Sequence, residues 1–177
     1  MARNVSVNQI VNKSKLDQIS KRHMRAALHA VRDDNASIKA DLAMGNSGLA
    51  AGTTTTITTA ALVVCIQGRA YSVSAASNGT AITTDYGTGA AFIAQGPNTV
   101  CVYVIGYDAA GNRRAFQGPV GSILTYTAGE TAPDFPVIPA EVCAVGYIVA
   151  KAASNLSGTW TFGTNNNSSV TGMTWDF

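Results

Sequence analysis

The chain has 177 residues, 46% of them hydrophobic and only 12% charged, with a net charge of +2. That length suits one globular domain with an appendage, and a charge content about half the usual ~25% excludes a disordered chain, which is charge-rich and apolar-poor. No apolar run approaches the ~20 residues needed to span a bilayer as a helix, so no membrane partner is expected.

The first 45 residues differ from the rest. Eight basic residues (Arg3, Lys13, Lys15, Lys21, Arg22, Arg25, Arg32, Lys39) face four acids (Asp17, Asp33, Asp34, Asp41). No apolar stretch follows Arg3, so the N-terminus is not expected to act as a secretory signal, and synthesis in the cytosol is expected. From Ser14 to Met44 there is no Gly and no Pro. Ser14 suits an N-cap, with Asp17 three residues on. The pattern predicts an N-terminal α-helical arm that ends at Gly45. Leu28, Val31, Asn35, Ile38 and Leu42 follow alternating three- and four-residue steps and form a candidate helix packing seam. So narrow a stripe needs a partner: another helix, the chain's own β-domain or another protein. The basic residues raise a nucleic-acid reading. Interruption by four acids and the lack of stacking aromatics argue against it. A solvated helix face or docking on an acidic protein surface are the alternatives.

A loop signal at Gly45-Asn46-Ser47-Gly48 separates this arm, residues 1–45, from a second domain at 46–177. Here the signals are those of strands. Thr53 to Thr59 reads as an edge or intersubunit strand. Ala60 to Ile66, the Gln67-Gly68 turn and Ala70 to Ala75 read as a hairpin. Thr99 to Tyr107 (TVCVYVIGY) is the strongest strand. A turn at Asp108 to Asn112 leads into Arg113 to Gln117. Val120 to Thr127 is a further strand, and a Pro-punctuated loop then precedes Val142 to Ala150. The C-terminal stretch alternates aromatics with Thr and Gly. Short strands with turns every 8–12 residues predict an antiparallel β-sandwich or barrel-like domain.

The same sequence offers little chemistry. Cys65, Cys101 and Cys143 sit in separate apolar runs with no CxxC pair, so buried free thiols are expected rather than zinc or disulfides. His23 and His29 are the only histidines, and both precede the β-domain, so no Ser-His-Asp triad fits inside it. The acids Asp85, Asp108, Glu130, Asp134, Glu141 and Asp176 are candidates for paired carboxylate chemistry, but aromatic sugar platforms are scarce. No phosphate-binding glycine motif is present. Neither an enzyme nor a cofactor is expected. Arg113 and Arg114 are candidate interface residues through a salt bridge between subunits. Trp160 and Trp175 are candidate core or interface anchors; exposed Tyr86, Tyr126, Trp160 or Trp175 would alternatively make a glycan platform.

Four collinear stretches carry a family likeness: LAAGTTTTITTAALVVCIQGRAYSVSA at 49–75, VCVYVIGYDAAGNRRAFQG at 100–118, FPVIPAEVCAVGYIVA at 135–150 and GTWTFGTNNNSSVTGMTWDF at 158–177. Together they resemble a β-domain of tailed-bacteriophage structural proteins found in head decoration and fibre-like components. Asn165-Asn166-Asn167 departs from the usual Thr-Asp/Asn-Leu, and residues 1–45 lie outside the likeness. The resemblance implies a virion component, most simply a capsid decoration (cement) or head-fibre protein, assembled as a trimer on a capsid protein. It brings no catalytic residues. A tail, neck or collar fibre component, or a receptor- or glycan-binding module, is the alternative.

Overall fold

A computed structural model describes residues 42–127, 133–167 and 170–176. The chain splits into two compact units, Met1–Lys39 and Ala40–Phe177. All described residues belong to the second. The expected helix, with seam positions Leu28, Val31, Asn35 and Ile38, lies outside them, as do His23, His29 and Glu130. The end of that expectation is corrected. Leu42–Met44 is a strand, β1, not the last turn of a helix. Its backbone pairs antiparallel with β4 (Leu62–Ile66), Ala43 opposite Val64. Strand alternation turns Ala43 inward and leaves Leu42 59% exposed. Leu42 is therefore not a helix-seam residue, because pairing with β4 overrides its local helix pattern.

The unit is mainly β and all its strand pairs are antiparallel. Three open sheets form, and no barrel closes among the described residues. One sheet has the order β1-β4-β5, where β5 is Arg69–Val73. Its β4–β5 hairpin turns at Gln67-Gly68 as expected. A short second sheet joins β2 (Ala50–Ala51) to β3 (Ile57–Thr58). The largest runs β10-β9-β6-β7, with β8 also on β6. Its members are β6 (Thr99–Asp108), β7 (Arg113–Gln117), β8 (Gly121–Ser122), β9 (Val142–Ala152) and β10 (Met173–Asp176).

Two expected strands are shorter than the sequence suggests. The Thr53 to Thr59 run contributes only Ile57–Thr58 to β3. Its remainder is a clamped loop: Thr53 N donates to Asn78 Oδ1 at 2.8 Å and Asn167 N donates to Thr54 O at 2.8 Å. In Val120 to Thr127 only β8 is extended, and a short helix, α1 (Ile123–Thr127), follows. Ser122 Oγ accepts from Leu124 N, and Ile123 N donates to Asn98 O, which turns the chain away from the sheet.

Strand β6 explains the core. It is buried on both faces, which is why its sequence is an unbroken apolar run rather than an alternating one. Cys101, Tyr103 and Ile105 face a first cluster with Phe92, Ile148, Trp160 and Phe162. Val100, Val102 and Val104 face a second with Phe116, Val142 and Val149. Tyr107 and Cys143 at the sheet's end pack with Leu62, Val64, Ile66 and Val73 of the β4–β5 hairpin. All three cysteines are free; Cys101 and Cys143 are buried, whereas Cys65 is only half-buried. Burial pushes the Cys101 thiol up to about 11, against hydrogen bonding from its surroundings. It is therefore a neutral, unreactive core group at physiological pH.

Candidate interaction surface

The second face of the large sheet is incompletely covered. Ile123 and Tyr126 of α1, with Tyr86 and Ile138, pack against the valine cluster. Beyond them the loop of residues 133–141 crosses the sheet, and prolines at 133, 136 and 139 hold it extended without offering N–H donors. Under this loop lies an apolar groove of about 320 Å³, lined by Val104, Phe135, Pro136, Ile138, Ala144 and Tyr147. Val104 and Tyr147 are direct neighbours across β6 and β9, so both project to this face. The Phe135 ring meets Tyr147 edge-on, with centroids 5.2 Å apart. The rim is unusually apolar for a surface: Val137 is 89%, Phe135 57% and Tyr147 48% exposed. On the other side of Tyr147 a depression of about 330 Å³ is lined by residues 46–49. No charged side chain lines either hollow.

The sequence candidates occupy different places. Of the two positions expected for Trp160, core or interface, it occupies the core. It is 1% exposed, sits against Tyr103 and Phe162, and its Nε1 donates to Asn166 O at 3.1 Å. Trp175 is half-buried beside it, with ring centroids 4.5 Å apart. Two of the four candidates for a glycan platform are engaged within the chain. Trp160 is inside, and the Arg114 guanidinium covers Tyr86 at 4.5 Å from its ring centroid.

Arg114 also closes an ion pair within its own chain. Its Nε and Nη2 donate to Asp108 Oδ2 at 2.9 and 2.7 Å. The β6–β7 register places Arg114 opposite Gly106, two residues from Asp108, and so makes this pair local. Arg113 is likewise engaged internally. Its Nη1 donates to Ile57 O at 2.8 Å and its Nη2 to Thr80 O at 3.3 Å.

Asp108 organises the turn. Its Oδ1 accepts from Ala110 N and Asn112 N, and its Oδ2 from Asn112 Nδ2 as well as Arg114. Partial burial pushes its carboxyl up, but the bonds from Asn112 and the Arg114 charge together outweigh this and hold it below the usual carboxylate range. The stabilisation is therefore complete above the unfolded-state value and fades as pH falls through the lowered folded-state value. Asp108→Asn is expected to cost about 1.5–3 kcal/mol at pH 7. In urea titrations the gap to the wild type should shrink below about pH 4. A gap unchanged at acid pH would show that the charge contributes nothing.

The other acids do not converge. Asp85 is buried and accepts from Gly87 N and Thr88 Oγ1, while Asp176 pairs with Lys151. Among the described residues no three His, Cys, Asp or Glu side chains are placed to hold a metal ion, and no helix is long and apolar enough to cross a membrane. Sequence reading missed the groove, because Phe135 and Tyr147 lie in separate elements. Its one available signal was the apolar content of the Pro-rich loop. No family model matches the chain, and no curated protein or solved structure matches it either.

Proposed function

We propose that this protein is a structural component of a tailed-bacteriophage virion, a capsid decoration or head-fibre protein that assembles as a trimer. The observation that carries the reading is the exposed apolar rim of Phe135, Val137 and Tyr147 on a β unit poor in charge. A neutral apolar patch of this kind favours association over solvation. Closed rotational symmetry lets every copy bury it equally. The likeness of the four β stretches to virion proteins supports the trimer and the location. In this reading the basic N-terminal segment attaches the unit to the capsid shell. A tail, neck or collar position would differ in copy number: few copies per particle, against the many of a decoration protein.

Light scattering on the full chain tests the assembly. The expected mass is three times the 18.3 kDa of one chain, unchanged in high salt because the contact is apolar. The double substitution Phe135→Lys with Tyr147→Lys is expected to give a monomer with the circular dichroism of the wild type. A monomeric wild type, or a double variant that stays trimeric at the same concentration, overturns the reading.

A further inference from the structure

A third hollow, of about 490 Å³, lies between the loop of residues 76–84 and the start of β7. Its character is opposite to that of the apolar groove. Thr80, Thr83, Thr84 and Asn112 line it beside Ala76, Ala81 and Ile82, and no aromatic does. Arg114, whose charge Asp108 already meets, and Arg113 form part of the wall. The Arg113 guanidinium is half-buried, and its two hydrogen bonds go to backbone carbonyls, of Ile57 and Thr80. Asp108 is already paired with Arg114, and Asp176 with Lys151. Arg113 has no carboxylate partner among the described residues. A guanidinium carries five N–H donors in a planar fork, so donors remain for a ligand. The group is also held in place. It rests on Gly79, where a Cβ would lie 2.1 Å from Nη2.

The geometry points to this hollow as a binding site for an acidic saccharide, a sugar carrying one carboxylate, with Arg113 as its anchor. With Arg114 neutralised by Asp108, the Arg113 guanidinium is the one uncompensated positive charge of the wall, and a carboxylate is its natural partner. One cation matches one negative charge, which fits a carboxylate better than a doubly charged phosphate. The threonine and asparagine side chains supply donors and acceptors for sugar hydroxyls. The volume falls within the ~300–1,000 Å³ of small-molecule sites. The absence of an aromatic from the wall disfavours neutral sugars held by stacking.

The test uses the full chain and isothermal titration with three probes: sialyllactose, lactose and inorganic phosphate. Sialyllactose is expected to bind saturably, with lactose and phosphate at least about tenfold weaker. Arg113→Gln is expected to weaken sialyllactose binding by about tenfold or more, the equivalent of one charged hydrogen-bond partner. Thr80→Glu is a second variant that leaves the Arg113 side chain intact. It places a carboxylate at the exposed rim, neutralises the guanidinium from within the site and is expected to abolish binding while the thermal melt stays unchanged. Failure of sialyllactose to bind, or binding that survives both variants, overturns the proposal. Equal binding of lactose removes the acidic requirement, and equal binding of phosphate makes this an anion site without saccharide recognition; either result also overturns it.

Discussion

Trp160→Ala is expected to lower the stability of the β unit by about 3–5 kcal/mol. Against a typical total of ~5–15 kcal/mol this brings the fold close to its limit. The side chain is the largest of the fully buried ones and contacts Tyr103, Phe162 and Trp175. Removing it empties the centre of the first cluster and leaves Asn166 O without its indole donor. Trp160→Phe keeps much of the packing and should cost less. Urea unfolding followed by far-ultraviolet circular dichroism measures both. A loss below about 1 kcal/mol for the alanine variant would mean that Trp160 is not locked in the core.

The second large effect is expected at Gly163. This residue is buried with φ of 71°. A Cβ there would lie 1.8 Å from Ile82 O and 2.7 Å from Ile82 C, a clash with backbone that no rotamer change relieves. Gly163→Ala therefore combines about 1–2 kcal/mol for the left-handed conformation with about 1–3 kcal/mol for overpacking. Gly89 separates the two terms, since its φ is 70° but nothing lies within 4 Å of its Cβ position. Gly89→Ala should show the conformational cost alone. Equal losses in the two variants would show that the Ile82 loop yields freely and that the contact is unimportant.

The sequence was most legible where local pattern and tertiary pairing agree. The β4–β5 hairpin has apolar runs on both sides of a two-residue turn. The apolar run of β6 announces burial on two faces, and the Asp108 turn carries residues suited to bonding their own backbone. Legibility failed where distant partners decide the outcome. Leu42–Met44 continues a helical pattern, yet it pairs with residues about twenty positions on. The threonine run promises a strand by propensity, but Asn78 and Asn167 draw its backbone into a loop. Buried Gln95, which donates to Ala150 O and pairs with the Trp160 backbone, gives no sign in the sequence of lying in a core. The candidate surface was illegible for the same reason: Tyr147 projects from β9 while Phe135 arrives on a loop. Charge was legible only in part. Adjacent arginines suggested a contact between subunits and gave no sign that the hairpin register supplies Arg114 with a carboxylate of its own chain.

The placement of β6 at the centre of the large sheet also governs the order of events during synthesis. Its partner β9 begins more than thirty residues after β6 ends, and the first cluster is completed only by Trp160, Phe162 and Met173. A ribosome therefore exposes the most apolar strand of the unit well before that strand can be covered on both sides. Such non-local pairing slows folding, and an uncovered strand invites wrong partners in the meantime. The β4–β5 hairpin can close early because its contacts are local. The rest condenses only once the C-terminal third of the chain has emerged. In the proposed trimer, contact between copies would thus have two opposed timings: premature through β6, which is damaging, and late through the finished surface at Tyr147.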